Sequence, residues 1–197
     1  MMKYPNGKPY KKTCQEVKEP SGHRTILSAA NRGMSLEEDI NLSNDYYRDT
    51  GIALINKRPT PINIVKVDYS KGARITDAYF EKQSTTDYNG VYKGKYIDFE
   101  AKNTKSLTAF PLSNISEHQI IHLKNVIKHG GIAFFIISFQ LKDEVYLLDA
   151  SFVIDFYEHG KRKSIPYDVF KENGVLIRQD YTPRLHYIDA VETLYFK

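Results

Sequence analysis

The sequence predicts a mixed α/β fold, a β-sheet flanked by helices, with one β-hairpin set apart from the sheet. Three observations carry this prediction. Helical and two-residue periodicities succeed one another in the order α, β, β, β, β, β, α, β, β. Residues 132–139, IAFFIISF, form a near-continuous apolar run of the kind found in strands covered on both faces. Residues 61–80 read as a long hairpin whose apolar alternation changes phase part-way along its first arm. With 197 residues, 41% hydrophobic and 26% charged, the chain suits one globular domain large enough to bury most of its apolar surface.

The elements follow in order. Residues 1–33 lack hydrophobic periodicity and carry Pro5, Pro9 and Pro20, so they read as an irregular arm preceding a domain over 34–197. Lys3, Lys8, Lys11 and Lys12 fall in the first twelve residues with no acid among them, which suits either a phosphate-tracking tail or a solubilising terminus. Ser35 and Glu38 have the spacing of a capping box. Leu36, Ile40 and Tyr47 then share one helical face until Gly51, predicting a helix over about 36–49. IALI at 52–55 suits a strand that the following KRPTP must end. PINIVKVDY and ARITDAYF flank a Ser70-Lys71-Gly72 turn, and the phase change near Ile64-Val65 predicts a bulge in a hairpin that projects from the sheet. Ser116 opens a second helix with Ile120, Leu123, Val126 and Ile127 as its buried stripe and Gly130-Gly131 at its end. IAFFIISF follows, with EVYLLDA as its partner strand. Residues 151–197 mix FVIDFY, a basic Lys161-Arg162-Lys163 cluster, a short helix near 167–172 and a C-terminal helical segment.

Composition excludes several classes. No run of about 18 apolar residues is present, and no apolar segment follows the basic N-terminus, so neither a membrane span nor a secretory signal is expected and the expected compartment is the cytoplasm. A single cysteine, Cys14, forms no internal disulfide and no thiolate metal cluster. The net charge of +4 is mild.

Residues 85–102, TTDYNGVYKGKYIDFEAK, bear the chemistry. They read as a half-buried hairpin around either Lys93-Gly94 or Asn89-Gly90, and the former leaves YIDFEAK an unbroken partner. With Lys93-Gly94 as the loop, Asp87 faces Glu100 across the pair, at roughly 4.5 to 5.5 Å between Cβ atoms. Lys102 shares that face, while Ile97, Phe99 and Ala101 point the other way into a core. Two carboxylates so close repel unless a cation lies between them or one keeps a proton. Oxygen-only ligation favours Mg²⁺ or Mn²⁺, and an ammonium group beside such an ion suits attack on a phosphodiester. The same residues would also serve as salt-bridge decoration on a wet hairpin face, so the spacing leaves both readings open.

The wider pattern resembles a known family. D-x₁₂-E-x-K on a hairpin is the motif of the PD-(D/E)xK nuclease superfamily. YPNGKPY at 4–10, RGMSLE at 32–37, STTDYNGVY at 84–92, YIDFEAK at 96–102, HQ at 118–119, DEVYLL at 143–148 and PRL at 183–185 together resemble the RecU family of Holliday-junction resolvases. The resemblance implies a restriction-endonuclease-like core and a homodimer that binds four-way DNA junctions and makes paired symmetric nicks with Mg²⁺, Mn²⁺ substituting, in recombination and DNA repair. It implies Asp87, Glu100 and Lys102 as catalytic residues and Thr85, Asp87, Glu100 and Gln119 at the metal. It implies Lys102 as the group that stabilises the transition state, residues 61–80 as the family's stalk, and a RecA-type recombinase as a partner. A restriction-type duplex endonuclease and a non-catalytic junction-binding protein are the alternative readings.

The auxiliary residues carry two readings each. Gln119 stands three residues after Ser116 and completes a capping box as well as matching the family's metal site. Glu37 could point toward the carboxylate pair, and an acid in a first turn is favoured by the helix dipole anyway. Thr85 shares the face of Asp87 by parity. Arg32, Lys71 and Arg74 are candidates for phosphate contact, with a solvated role as the alternative. His118, His122 and His129 lack partners at zinc spacing and read as surface or structural residues.

Overall fold

Ser35 opens the first helix as its spacing predicts: its hydroxyl accepts from the Glu38 N–H and the Glu38 carboxylate accepts from the Ser35 N–H, capping helix α1 (Leu36–Asp49). The computed structural model describes residues 35–81 and 85–196. The arm residues Lys3, Lys8, Lys11, Lys12 and Arg32, and Cys14 with them, lie outside the described residues. Past the helix, Gly51 adopts a left-handed φ of 69°. The N–H groups of Ile52 and Ala53 still donate to the Tyr47 carbonyl, at 2.8 and 3.3 Å. Strand β1 (Leu54–Lys57) therefore begins two residues later than IALI suggests.

Strands β2 (Ile62–Asp68) and β3 (Arg74–Phe80) form a separate two-stranded sheet. Their register slips between Ile64 and Lys66, where the sequence predicts a bulge. Every residue of β3 is exposed, and Ile64, Val65, Tyr79 and Phe80 present apolar surface on the hairpin.

The main sheet has the order β1-β4-β5-β7-β8-β10. It comprises β1, β4 (Tyr88–Tyr92), β5 (Lys95–Thr104), β7 (Ile132–Phe139), β8 (Glu144–Asp149) and β10 (Val175–Leu176). β5 pairs antiparallel with β4 and parallel with β7, which makes the sheet mixed. A parallel pair needs a crossover. Here it runs through the short strand β6 (Ala109–Pro111), a 3₁₀ turn (Leu112–Asn114) and helix α2 (Glu117–Lys128). Helix α3 (Ala150–His159) contains the FVIDFY segment and is capped by the Asp149 carboxylate, which accepts from the Ser151 and Phe152 N–H groups. Strand β9 (Ser164–Pro166) pairs with β6, and helices α4 (Tyr167–Asn173) and α5 (Tyr187–Tyr195) complete the chain.

Helices cover both faces. Leu36, Ile40 and Tyr47 of α1 and Tyr187, Ile188 and Val191 of α5 pack with Tyr88, Ile97, Phe99 and Phe134 on one side. Ile120 and Leu123 of α2, Val153 of α3 and Phe170 of α4 pack with Phe135 and Ile137 on the other. Alternation along β5 thus sends Ile97 and Phe99 to the α1 side and Asp98, Glu100 and Lys102 to the α2 side. The α2 side of this strand is not wet: Asp98 and Glu100 are both buried, because the parallel crossover lays α2 over them. No helix among the described residues is long and apolar enough to cross a membrane.

Candidate active site

Lys93 and Gly94 both have positive φ, 46° and 74°, as a two-residue hairpin loop requires. The loop sets Tyr92 against Lys95 and, at the far end of β4, Tyr88 against Phe99. The Tyr88 and Phe99 rings stack with centroids 4.9 Å apart, and Phe99 stacks on Phe134 at 4.8 Å. This aromatic column fixes the register from behind. One step past it, the Asp87 N–H donates to Glu100 Oε2 at 3.1 Å, so the two acids meet across the strands.

Glu100 is 1% exposed. Its Oε1 accepts from Gln119 Nε2 at 2.5 Å and from Lys102 Nζ at 2.8 Å. Burial, and after it the neighbouring Asp87 charge, push its carboxyl up to about 7, with Lys102 pulling the other way. Gln119 closes the helix cap and also touches the buried acid. Its Oε1 accepts from the Ser116 N–H at 3.0 Å and closes the cap, while its NH₂ group reaches Glu100. In this arrangement Gln119 turns its NH₂, not its oxygen, toward Glu100, and a metal-ligand role would need the amide turned over. Thr85 is half-buried, two residues before Asp87 and next to the fully buried Thr86. The Glu37 carboxylate pairs with Lys57 at the end of β1, and its backbone carbonyl accepts from the Tyr88 hydroxyl at 3.4 Å. Lys71 and Arg74 are exposed at the tip of the β2–β3 hairpin.

Asp98 and the four residues around it carry no signal of their own in the sequence. Arg58 donates its N–H to the Asp87 carbonyl at 2.8 Å and its guanidinium to the Asp98 carboxylate at 2.6 Å. Thr86 donates its hydroxyl to Asp98, and His122 stands 3.0 Å from the same carboxylate. Burial opposes the Asp98 charge, but hydrogen bonds with His122, Thr86 and Tyr96 and the Arg58 charge outweigh it and hold that carboxyl below the usual range. His122 therefore belongs to a buried polar network, which its spacing in the sequence does not reveal.

The donor set fits a hard divalent cation. Among the described residues no three His, Cys, Asp or Glu side chains converge as a metal cage. Two carboxylates completed by neutral oxygens and water are a common way to hold Mg²⁺. The acids without an ion make a testable cost. Glu100 titrates near 7 in the fold against an ordinary 4.5, so its contribution to stability is complete below about 4.5 and lost as pH rises through about 7. In EDTA the melting temperature should therefore rise as pH falls from 8 to 6. Glu100→Gln should flatten that rise and, at pH 8, be more stable than the wild type by about 3 kcal/mol at most.

A D-x₁₂-E-x-K set delivered by neighbouring strands of a mixed sheet is the arrangement of the PD-(D/E)xK nuclease superfamily. The chain belongs to the RecU family: that family's model, described as Recombination protein U, matches residues 31–193. The chain is 52% identical over 200 residues to the Holliday junction resolvase RecU of Geobacillus kaustophilus (strain HTA426), covering 99% of this chain and 98% of that one. The same identity and coverage hold for proteins of that name from Bacillus cereus (strain AH820) and Bacillus anthracis (strain CDC 684 / NRRL 3495). Among solved structures, Archaeoglobus fulgidus Hjc, a Holliday junction resolvase from an archaeal hyperthermophile, is similar with a TM-score of 0.39 and 10% identity, over 68% of this chain and 93% of that one.

Proposed function

We propose that this chain is a Holliday-junction resolvase, a Mg²⁺-dependent structure-selective endonuclease that works as a homodimer in recombination and DNA repair. The observation that carries the reading is the meeting of Asp87 and Glu100 across adjacent strands, with Lys102 2.8 Å from Glu100. Membership of the RecU family supports it.

Asp87 and Glu100 would hold the ion, with Thr85 and Gln119 beside it. When bound, Mg²⁺ or Mn²⁺ supplies Lewis-acid activation of water and of the phosphoryl oxygen. Lys102, 2.8 Å from Glu100, would offset the negative charge that builds on the phosphoryl oxygens in the transition state. Water adds to phosphorus, the P–O3′ bond breaks, and the products are a 5′-phosphate and a 3′-hydroxyl. The stacked rings of Tyr88, Phe99 and Phe134 back the strands beside the acid pair. A two-fold dimer presents two such sites to two strands of a two-fold junction, which gives paired nicks. Junction choice would come from shape, with the β2–β3 hairpin at the crossover and Lys71, Arg74 and the basic arm on phosphates, more than from base edges. A RecA-type recombinase is the proposed protein partner.

The test is cleavage of a mobile four-way junction against a linear duplex of equal sequence, each with and without Mg²⁺. The reading expects Mg²⁺-dependent symmetric nicks in the junction and little cutting of the duplex. Equal cutting of both would point to a restriction-type nuclease.

A further inference from the structure

Beside the carboxylate pair lies a second polar network whose centre is Asp98. Asp98 is fully buried, two residues before Glu100 and on the same face of β5. Its Oδ1 accepts from the Thr86 hydroxyl, and its Oδ2 accepts from Arg58 Nη2 at 2.6 Å and the Tyr96 hydroxyl at 2.7 Å. His122 Nε2 stands 3.0 Å from the same Oδ2. Taking a carboxylate out of water is costly even when its partners are good, and a well-packed apolar residue would serve the sheet as well or better. The arrangement of the partners supplies a reason for the charge.

Thr86, Tyr96 and His122 belong to chain segments that also bear a residue of the proposed ion site, and Arg58 is tied to one of them. Thr86 lies between Thr85 and Asp87. Arg58 ties the same segment twice, through its N–H on the Asp87 carbonyl at 2.8 Å and its Nη1 on Thr86 Oγ1 at 3.2 Å. His122 is one turn along α2 from Gln119, whose amide contacts Glu100. Asp98 itself is continuous with Glu100 and Lys102. Four contacts to one carboxylate therefore join the loop before β4, the strand β5 and the helix α2.

We infer that Asp98 is a positioning residue for the reaction: through Thr86, Arg58 and His122 it fixes the three segments that carry Asp87, Glu100 and Gln119, so that their oxygens are preset for a divalent cation. The inference rests on the ion site proposed above. Asp98 would act through these partners, and its effect is read in metal affinity and turnover. Partners of this outer kind commonly change metal affinity or activity by about 10- to 100-fold when removed.

The experiment titrates Mn²⁺ into the full chain, following free Mn²⁺ by electron paramagnetic resonance, for wild type, Asp98→Asn, Thr86→Val, Thr86→Ser and Asp87→Asn. Junction binding in EDTA and single-turnover cleavage are measured alongside. Asp98→Asn keeps the shape of the side chain but loses the charge. Its half-saturating Mn²⁺ should rise about 10- to 100-fold and its cleavage rate fall, with junction affinity in EDTA unchanged. Thr86→Val should behave in the same direction, and Thr86→Ser, which restores the hydroxyl, should return toward wild type. That pair decides the matter should Asp98→Asn fail to fold. Wild-type Mn²⁺ titrations for the folded Asp98→Asn and Thr86→Val proteins, even with lowered melting temperatures, overturn the inference as a merely structural role would predict. If Asp87→Asn alone loses Mn²⁺, the positioning inference fails and the proposed function stands. If Asp87→Asn binds Mn²⁺ and cuts as wild type does, the ion site falls and the inference with it.

Discussion

Asp87→Asn should bind a four-way junction as tightly as the wild type and cut it at least about a thousandfold more slowly in saturating Mg²⁺. Loss of a proposed ligand would remove several kcal/mol of charge stabilisation from the transition state, and each 1.36 kcal/mol is a factor of ten in rate. The fold should tolerate the change. Asparagine is isosteric, and the two backbone contacts that place this residue, its N–H on Glu100 and its carbonyl on the Arg58 N–H, need no side-chain charge. Removing the Asp87 charge also takes away one of the causes that raise the Glu100 carboxyl, so the neighbouring acid ionises more readily, not less. Gel shifts in EDTA and single-turnover cleavage in Mg²⁺ separate binding from chemistry. Full cleavage by this variant would leave the nuclease without its site. Absence of Mg²⁺-dependent cleavage in the wild type as well would favour an architectural junction-binding protein.

The hairpin that places this pair is legible in the sequence because two local signals agree on its register. Lys93-Gly94 suits a two-residue loop, and the two-residue alternation of YIDFEAK puts Ile97 and Phe99 on the opposite face from Glu100. Helix α1 is legible for the same kind of reason, since Ser35, Glu38 and Gly51 mark its ends. Short elements with no period are not. β6 and β9 are three residues each and contain Pro111 and Pro166, and they exist because they pair with each other across about fifty residues of chain. FVIDFY has the composition of a strand, and its helical state follows from the Asp149 cap and the packing of Val153 and Ile154. The Asp98 network is the clearest case. An acid between Ile97 and Phe99 reads as the wet side of an amphipathic strand. Its burial is decided only when the crossover from β5 to β7 brings α2 over that face and Arg58, in a stretch that reads as a strand breaker, turns back onto it.

Lys102→Met should lower the cleavage rate about 100- to 1000-fold, and pH should divide that loss into two parts. The first part is electrostatic help at the phosphoryl group, which a preorganised cation supplies at about that magnitude and methionine cannot. The second acts through Glu100. Its carboxyl titrates near 7 with the ammonium group 2.8 Å away and drawing it down. Without that charge, burial and Asp87 act unopposed by Lys102 and the carboxyl moves higher, so at pH 7 more of the protein carries a protonated Glu100 that cannot ligate a cation. Half-saturating Mn²⁺ should therefore be raised in Lys102→Met at pH 7 and return toward the wild-type value at pH 9, where Glu100 loses its proton in both proteins. The rate at saturating metal should stay low at both pH values, because no change of pH restores a positive charge beside the phosphoryl group. Manganese titrations and single-turnover rates at pH 7 and pH 9 give the four numbers needed. A variant whose rate at pH 9 matched the wild type would assign Lys102 solely to keeping Glu100 ionised, and the transition-state role would have to pass to another cation.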